Sequence, residues 1–247
     1  MNQTTLQIKT RDGSCPSHLF QPQGTGPWPA AILFMDAFGP RPGLFEMAGR
    51  LSSNGYCVLL PDLFYRTGPY QPFDPAIAFN DPAERDKLMK HYGALTLDLA
   101  MSDTAAFLEF LAAHPAAKKE TGCVGYCMGG PISLSAAGTF PDRVKAAASF
   151  HGARLATDKP DSPHLLAPKM RGEIYVGVAG IDQHFTPEER DRLDAALTAA
   201  HVRRTVEVYD GAKHGFAVND TPVYEPAASE KHWARLLDLF QRNLKNH

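Results

Sequence analysis

The sequence predicts an α/β chain built on a mostly parallel, twisted sheet of about eight strands with helices on both faces. Three observations predict it. Short apolar runs bounded by turn residues recur along the chain, and most of them alternate with segments of helical length. The 247 residues, 44% hydrophobic and 21% charged, are enough to bury one large core, so a single domain over 1–247 is expected.

The elements follow in order. Thr5 to Thr10 alternates, Arg11-Asp12-Gly13-Ser14 turns and Ser17 to Gln21 returns, which predicts an opening hairpin. Buried-type strands are predicted at Ala30 to Met35, Tyr56 to Leu60, Gly122 to Tyr126, Val144 to Phe150, Glu173 to Val178 and Val202 to Tyr209. Helical segments fall at Leu44 to Ser53, over one long stretch from Pro82 to Ala113, and at Pro131 to Gly138, Pro187 to Ala200 and Pro222 to Leu244. In the last of these, Trp233, Leu236, Leu237, Phe240 and Leu244 recur at helical spacing and read as a core-facing stripe. The Pro-rich stretch 64–83 is longer than an ordinary connection and is expected to form a lid or substrate loop.

Composition excludes several classes of function. The formal charge of −2 comes from 25 basic and 27 acidic residues spread along the chain, so no basic surface for nucleic acid or an anionic membrane is expected. No run reaches the roughly 18 apolar residues of a membrane-spanning helix, and Met1 to Arg11 lacks the charged and apolar regions of a secretory signal. A cytoplasmic location follows as an expectation, with Cys15, Cys57, Cys123 and Cys127 as free thiols. Cys123 and Cys127 lack a second ligand pair at zinc-site spacing, so no metal is expected.

The chemistry concentrates at Gly125-Tyr126-Cys127-Met128-Gly129. A nucleophile elbow needs a buried strand, a sharp turn carrying the nucleophile, and a helix, with small residues where the backbones crowd. Gly122 to Tyr126 supplies the strand, Cys127 takes the nucleophile position, and Gly130-Pro131-Ile132 opens the helix. Composition alone would produce Gly-x-Cys-x-Gly only about 0.03 times in such a chain. The competing reading is a small buried cysteine at a strand end. This context predicts the α/β-hydrolase fold, with Cys127 at a helix N-terminus whose dipole favours a thiolate and with the Met128 N–H facing a developing oxyanion.

In that fold an acid and then a histidine follow the nucleophile. Asp182 comes after the apolar run Glu173 to Val178, and His214 sits in the Gly-flanked segment Gly211-Ala212-Lys213-His214-Gly215-Phe216. The imidazole would move the proton while the acid fixes its tautomer. Asp182 competes with a turn or capping role and with Asp210 as the acid, and His214 with a plain surface-loop histidine. His151, after a strand, is a candidate pocket residue, and His184 lies in the loop after the acid. His18, His91, His114, His164, His201, His232 and His247 lack a comparable setting.

These motifs, together with Gly55-Tyr56 through Leu60-Pro61-Asp62-Leu63-Phe64 and Ala179-Gly180-Ile181-Asp182, resemble the dienelactone hydrolase family over nearly the full length. The resemblance implies hydrolysis of small-molecule esters or lactones without a cofactor; a monomer or small homo-oligomer is expected, the sequence itself being silent on oligomeric state. It implies a triad of Cys127, His214 and Asp182 acting through a thioester acyl-enzyme. It further implies Ala37 as the second oxyanion donor beside Met128, and Asp36 of Asp36-Ala37-Phe38-Gly39 as an acid that modulates the nucleophile. Arg85, Phe38, His151 and Tyr126 are the expected substrate-binding residues. The family's second carboxylate-binding arginine is absent, since Val218 stands four residues after His214. Loss of one fork of such a clamp points to a different or less charged substrate. Two other readings stand beside this one: attack by the same thiolate on a thioester or phosphoester, and a non-catalytic binding protein on a hydrolase scaffold.

Overall fold

In the computed structural model, which describes residues 1–245, an eight-stranded sheet has the order β1-β2-β4-β3-β5-β6-β7-β8. The hairpin β1 (Asn2–Thr10) and β2 (Gly13–Gln21) turns through Arg11 and Asp12, and β2 lies antiparallel to β4 (Cys57–Pro61). From β4 onward the neighbours are parallel: β3 (Trp28–Phe34), β5 (Ala117–Tyr126), β6 (Val144–Phe150), β7 (Glu173–Ile181) and β8 (Arg204–Lys213). The central strands are buried along most of their length, which is why they read as continuous apolar runs rather than alternating ones. His247 lies outside the described residues.

Helix α1 (Pro42–Ser53) and helix α6 (Pro226–Phe240) meet on one face, where Arg50 pairs with Glu230 and its guanidinium lies 4.6 Å from the Trp233 ring. Helices α3 (Leu97–Ala113) and α4 (Gly129–Thr139) contact the sheet at β5. Helix α5 (Pro187–Ala199) opens with a complete capping box of Thr186 and Glu189, and packs against the 3₁₀ segment Pro163–Lys169 beside α4.

Most helix ends differ from expectation by a residue or two, and α6 gives way at Phe240 to the π-helical turn Gln241–Lys245; two other departures come from capping. The single helix expected over Pro82 to Ala113 is two, α2 (Pro82–Ala94) and α3. Leu95 is extended, and Thr96 accepts a bond from the Leu99 N–H, starting a new helix. The last helix starts at Pro226 rather than Pro222 because the Glu225 carboxylate caps the amides of Ala227 and Ala228. The break at Leu95 re-aims α2 so that its Leu88, Met89 and Tyr92 reach the cavity described next.

Candidate active site

Three strand ends assemble the site. Cys127 follows Tyr126 at the end of β5 and adopts φ 51, the left-handed region that side chains with a Cβ rarely occupy. Glycines make the turn possible. A Cβ on Gly125 would lie 1.9 Å from the Gly129 carbonyl oxygen, and one on Gly129 would lie 2.4 Å from that of Phe34. The Cys127 N–H bonds to the Phe150 carbonyl at 3.2 Å and its own carbonyl accepts from Gly130 at 3.1 Å, locking the turn between β6 and α4.

The sheet register brings the other two groups together. After an irregularity at Ala179, Ile181 of β7 pairs with Lys213 of β8, so the next residues, Asp182 and His214, leave adjacent strand ends side by side. His214 Nδ1 and Asp182 Oδ2 are 2.7 Å apart, and the Asp182 side chain is 1% exposed. Its other oxygen accepts from the His184 N–H at 2.8 Å. Asp210, the rival acid, lies before Gly211 and has no place in this pair. Burial works against a charged His214, but attraction to the Cys127 sulfur, with hydrogen bonds to Asp182 and Cys127, outweighs it and raises the imidazolium to about 10. The two partners therefore favour a protonated ring held between sulfur and carboxylate.

Cys127 and His214 open into a cavity of about 560 Å³ walled mainly by apolar groups, among them Phe38, Phe79, Leu88, Met89, Tyr92 and Val223. Pro75, Phe79 and Asn80 of the 64–83 stretch form part of the wall. That stretch is anchored by the Phe73 N–H on the Phe38 carbonyl and by the Phe64, Tyr70, Phe73 and His91 aromatic cluster. Ala37 lines the cavity beside Cys127, and Met128 is 6% exposed at the head of α4. Among the described residues neither of their amides takes part in a turn or loop backbone bond.

The structure sorts the remaining expected site residues. Phe38 and His151 line the cavity. His151 is 1% exposed, adopts φ 39, stands 5.3 Å from the His214 ring, and among the described residues has no hydrogen-bond partner on either ring nitrogen. Burial, reinforced by His214 and His232, holds it well below the usual histidine range, so it is neutral. Tyr126 does not reach the cavity. Successive strand side chains alternate, and the Tyr126 ring is fully buried toward α6, where its hydroxyl meets His232 Nε2 at 2.8 Å. Arg85 is solvent-exposed near the start of α2 and is not a wall residue. Asp36 lines the cavity, but its carboxylate is committed elsewhere. Arg41 grips both oxygens at 2.7 and 2.9 Å, and the Phe38 N–H takes Oδ1 at 3.0 Å. Burial pushes the Asp36 carboxyl up while Arg41 pulls it down. Val218 is fully buried and faces the core rather than the site.

Sequence reasoning missed Arg41, Asp220 and Arg154. Arg41, 4% exposed, also bonds Asp220 Oδ1 at 2.8 Å, while Asp220 Oδ2 accepts from the Gly43 N–H, so the loop after His214 is tied to the turn holding Ala37. No local signal marks a pair 179 residues apart. Among the described residues no helix is long and apolar enough to cross a membrane, and no group of three His, Cys, Asp or Glu side chains is placed to hold a metal.

Comparison with known proteins agrees with this geometry. The family model for the dienelactone hydrolase family matches residues 16–244. A carboxymethylenebutenolidase of Rhodococcus opacus is 28% identical, the match covering 97% of this chain and 92% of that protein. One of Pseudomonas putida is 26% identical over 95% of this chain and 94% of its own. Among solved structures, a dienelactone hydrolase-like promiscuous phosphotriesterase from metagenomic libraries superposes with a TM-score of 0.78 at 23% identity, covering 99% of this chain and 100% of that one.

Proposed function

The chain belongs to the dienelactone hydrolase family and is a hydrolase of ester or lactone bonds, and on that premise we propose that it works through a Cys127-His214-Asp182 triad and a thioester acyl-enzyme. The observation that carries the reading is the Asp182–His214 pair at 2.7 Å with Cys127 and His214 on the wall of one mainly apolar cavity, where attraction between the sulfur and the ring favours the protonated imidazole. In the first step the sulfur attacks the carbonyl carbon, and the oxyanion that forms lies against the Ala37 and Met128 amides. His214 then donates its proton to the departing alkoxide, leaving the acyl group on sulfur. A water next gives a proton to His214 and attacks the thioester, and collapse of this second oxyanion releases the acid and restores the thiolate. Asp182 keeps Nδ1 protonated throughout, so that Nε2 is the nitrogen that exchanges the proton. The stretch 64–83 covers the cavity and shields the acyl-enzyme from bulk water. Small esters or lactones with an apolar body suit the walls.

The test is hydrolysis of short p-nitrophenyl esters by the parent and by Cys127→Ala, with intact-mass detection of an acyl adduct on the parent. The alanine variant is expected to lose activity by on the order of 10³-fold or more. Equal rates in the two proteins would remove Cys127 as the nucleophile. A phosphotriester run alongside, turned over faster than any acyl ester, would favour phosphoester hydrolysis by the same thiolate instead.

A further inference from the structure

We propose that a second cavity, beside the one over Cys127, is the acyl subsite of the hydrolase, so that the preferred ester or lactone carries an extended apolar chain on its acyl side. The proposal rests on the Cys127 reading for which bond breaks, and adds where the two halves of the substrate lie. The second cavity holds about 300 Å³ and forms where three segments meet: the junction of α2 and α3, the head of α4, and the loop leading out of β6 from Ala153 to Pro163. It adjoins the first cavity at Tyr92, Ala153 and Arg154, which line both.

The lining selects the chemistry of the occupant. Met128 and Ile132 are buried on this wall, and Leu95, Leu97 and Pro131 are half-buried around them. Leu95 and Leu97 stand there because the chain leaves the helical path between α2 and α3. The hydroxyls of Thr96, Thr157 and Ser162 also line the cavity, but each already accepts a backbone N–H, from Leu99, Lys159 and Thr157 respectively. The charged side chains, Arg154, Lys159 and Asp161, belong to exposed residues at the rim. Such an interior favours burial of carbon over a hydrogen-bonding or charged group.

Placement selects the acyl half. In the proposed mechanism the attacked carbon bears three groups besides sulfur: an oxyanion against the Ala37 and Met128 amides, a leaving oxygen that has to reach His214, and the acyl chain. These diverge tetrahedrally. His214, Gly215 and Thr221 to Val223 line the first cavity only, and so do Asp36, Ala37 and Phe38. The second cavity therefore lies off the side of Cys127 that carries neither the histidine nor the Ala37 turn. It is fixed against the elbow by Met128, the next residue in the chain, and by the Ala153 N–H on the Cys127 carbonyl at 3.4 Å. An alcohol seated there would be turned away from the imidazole that must protonate it, whereas an acyl chain would not.

Methyl octanoate and heptyl acetate are isomers with the chain on opposite sides of the scissile bond, so turnover fixes the orientation and overall apolarity cancels. Acid release by the full chain at constant pH gives kcat/KM for each, and for methyl butanoate. A fully buried methylene contributes about fourfold, so part of that over several carbons should place methyl octanoate on the order of tenfold above both. Leu97, half-buried in the first turn of α3, offers changes of opposite sign. Leu97→Trp fills the cavity and should bring the ratio of the two isomers to about one. Leu97→Ala enlarges it and should raise methyl decanoate over methyl octanoate by about threefold. Each ratio is taken within one protein, so a general loss of folded enzyme cancels. Calorimetry with N-methyloctanamide and N-methylbutanamide, uncharged and resistant to hydrolysis, reads the subsite without turnover. The longer amide should bind about tenfold tighter to the parent and about equally to Leu97→Trp. Heptyl acetate turned over as fast as methyl octanoate, or ratios unchanged in both Leu97 variants, would overturn the proposal. If the amides show the length and Leu97 dependence while Cys127→Ala hydrolyses esters at the parent rate, the nucleophile fails and the subsite stands. If hydrolysis needs Cys127 while the two isomers react equally, the subsite fails and the mechanism stands.

Discussion

Replacing Arg41 by methionine tests the clamp that joins the two halves of the site. Arg41 and Asp36 have side chains 4% and 3% exposed, bonded through both oxygens at 2.7 and 2.9 Å. At such contact an ion pair is worth about 4 kcal/mol at an effective dielectric of 20, most of it offset by the desolvation of both charges. Methionine fills much of the space but leaves Asp36 with the Phe38 amide alone. Asp220, its side chain 29% exposed, can turn to water. The cost is then mainly that of an uncompensated buried carboxylate, about 3 to 5 kcal/mol, against a total stability of roughly 5 to 15. Urea unfolding at pH 7, followed by tryptophan fluorescence, measures it. Adding Asp36→Asn, which keeps the bond from Phe38 but removes the charge, should recover most of the loss. The pH dependence has a definite sign. Without Arg41 the folded-state Asp36 carboxyl rises, so the deficit is present in full above that raised value and diminishes as pH falls through it. A deficit below about 1 kcal/mol, or one that Asp36→Asn fails to reduce, would refute the reasoning.

Two further outcomes are expected. His214 is raised from 6.5 to about 10, so its stabilisation is complete below about 6.5 and is lost as pH rises through about 10. An NMR titration should find the ring protonated at pH 7 in the parent, and Cys127→Ala, by removing the sulfur's attraction, should shift the midpoint down; an unchanged midpoint would uncouple the pair. His151→Phe removes two buried ring nitrogens that lack partners among the described residues and should raise stability by about 1 kcal/mol, or roughly 2 to 4 °C in thermal midpoint, while raising KM for esters able to hydrogen-bond that ring. A fall in stability with kinetics unchanged would make His151 purely structural.

What was legible in the sequence is what neighbours along the chain enforce. The elbow is one such feature: Gly125 and Gly129, on either side of Cys127, crowd one another within five residues, so the strand, turn and helix can be read from that segment alone. The hairpin turn at Arg11-Asp12 and most strands were equally local. That Asp182 and His214 leave strand ends was readable because both follow apolar strand runs. The split of α2 from α3 was not, since Leu95 and Thr96 sit in a stretch with helical composition throughout and one capping bond decides the break.

Tertiary structure alone decided the partners of the charged groups. Asp36 faces Cys127 in sequence logic, yet its carboxylate belongs to Arg41, and that arginine belongs also to Asp220, 179 residues away. Tyr126 adjoins Cys127 in the chain but points into the core, because alternate strand residues face opposite ways. Arg85 and Arg154 are indistinguishable as letters and both are exposed, and only the packing of α2 and the loop after β6 puts Arg154 at the cavity wall and leaves Arg85 off it. The physical reason is common to the charged groups. Backbone turns are set by sterics among adjacent residues, whereas a long charged side chain takes whichever partner the assembled fold brings within reach, and that partner has no fixed distance along the chain.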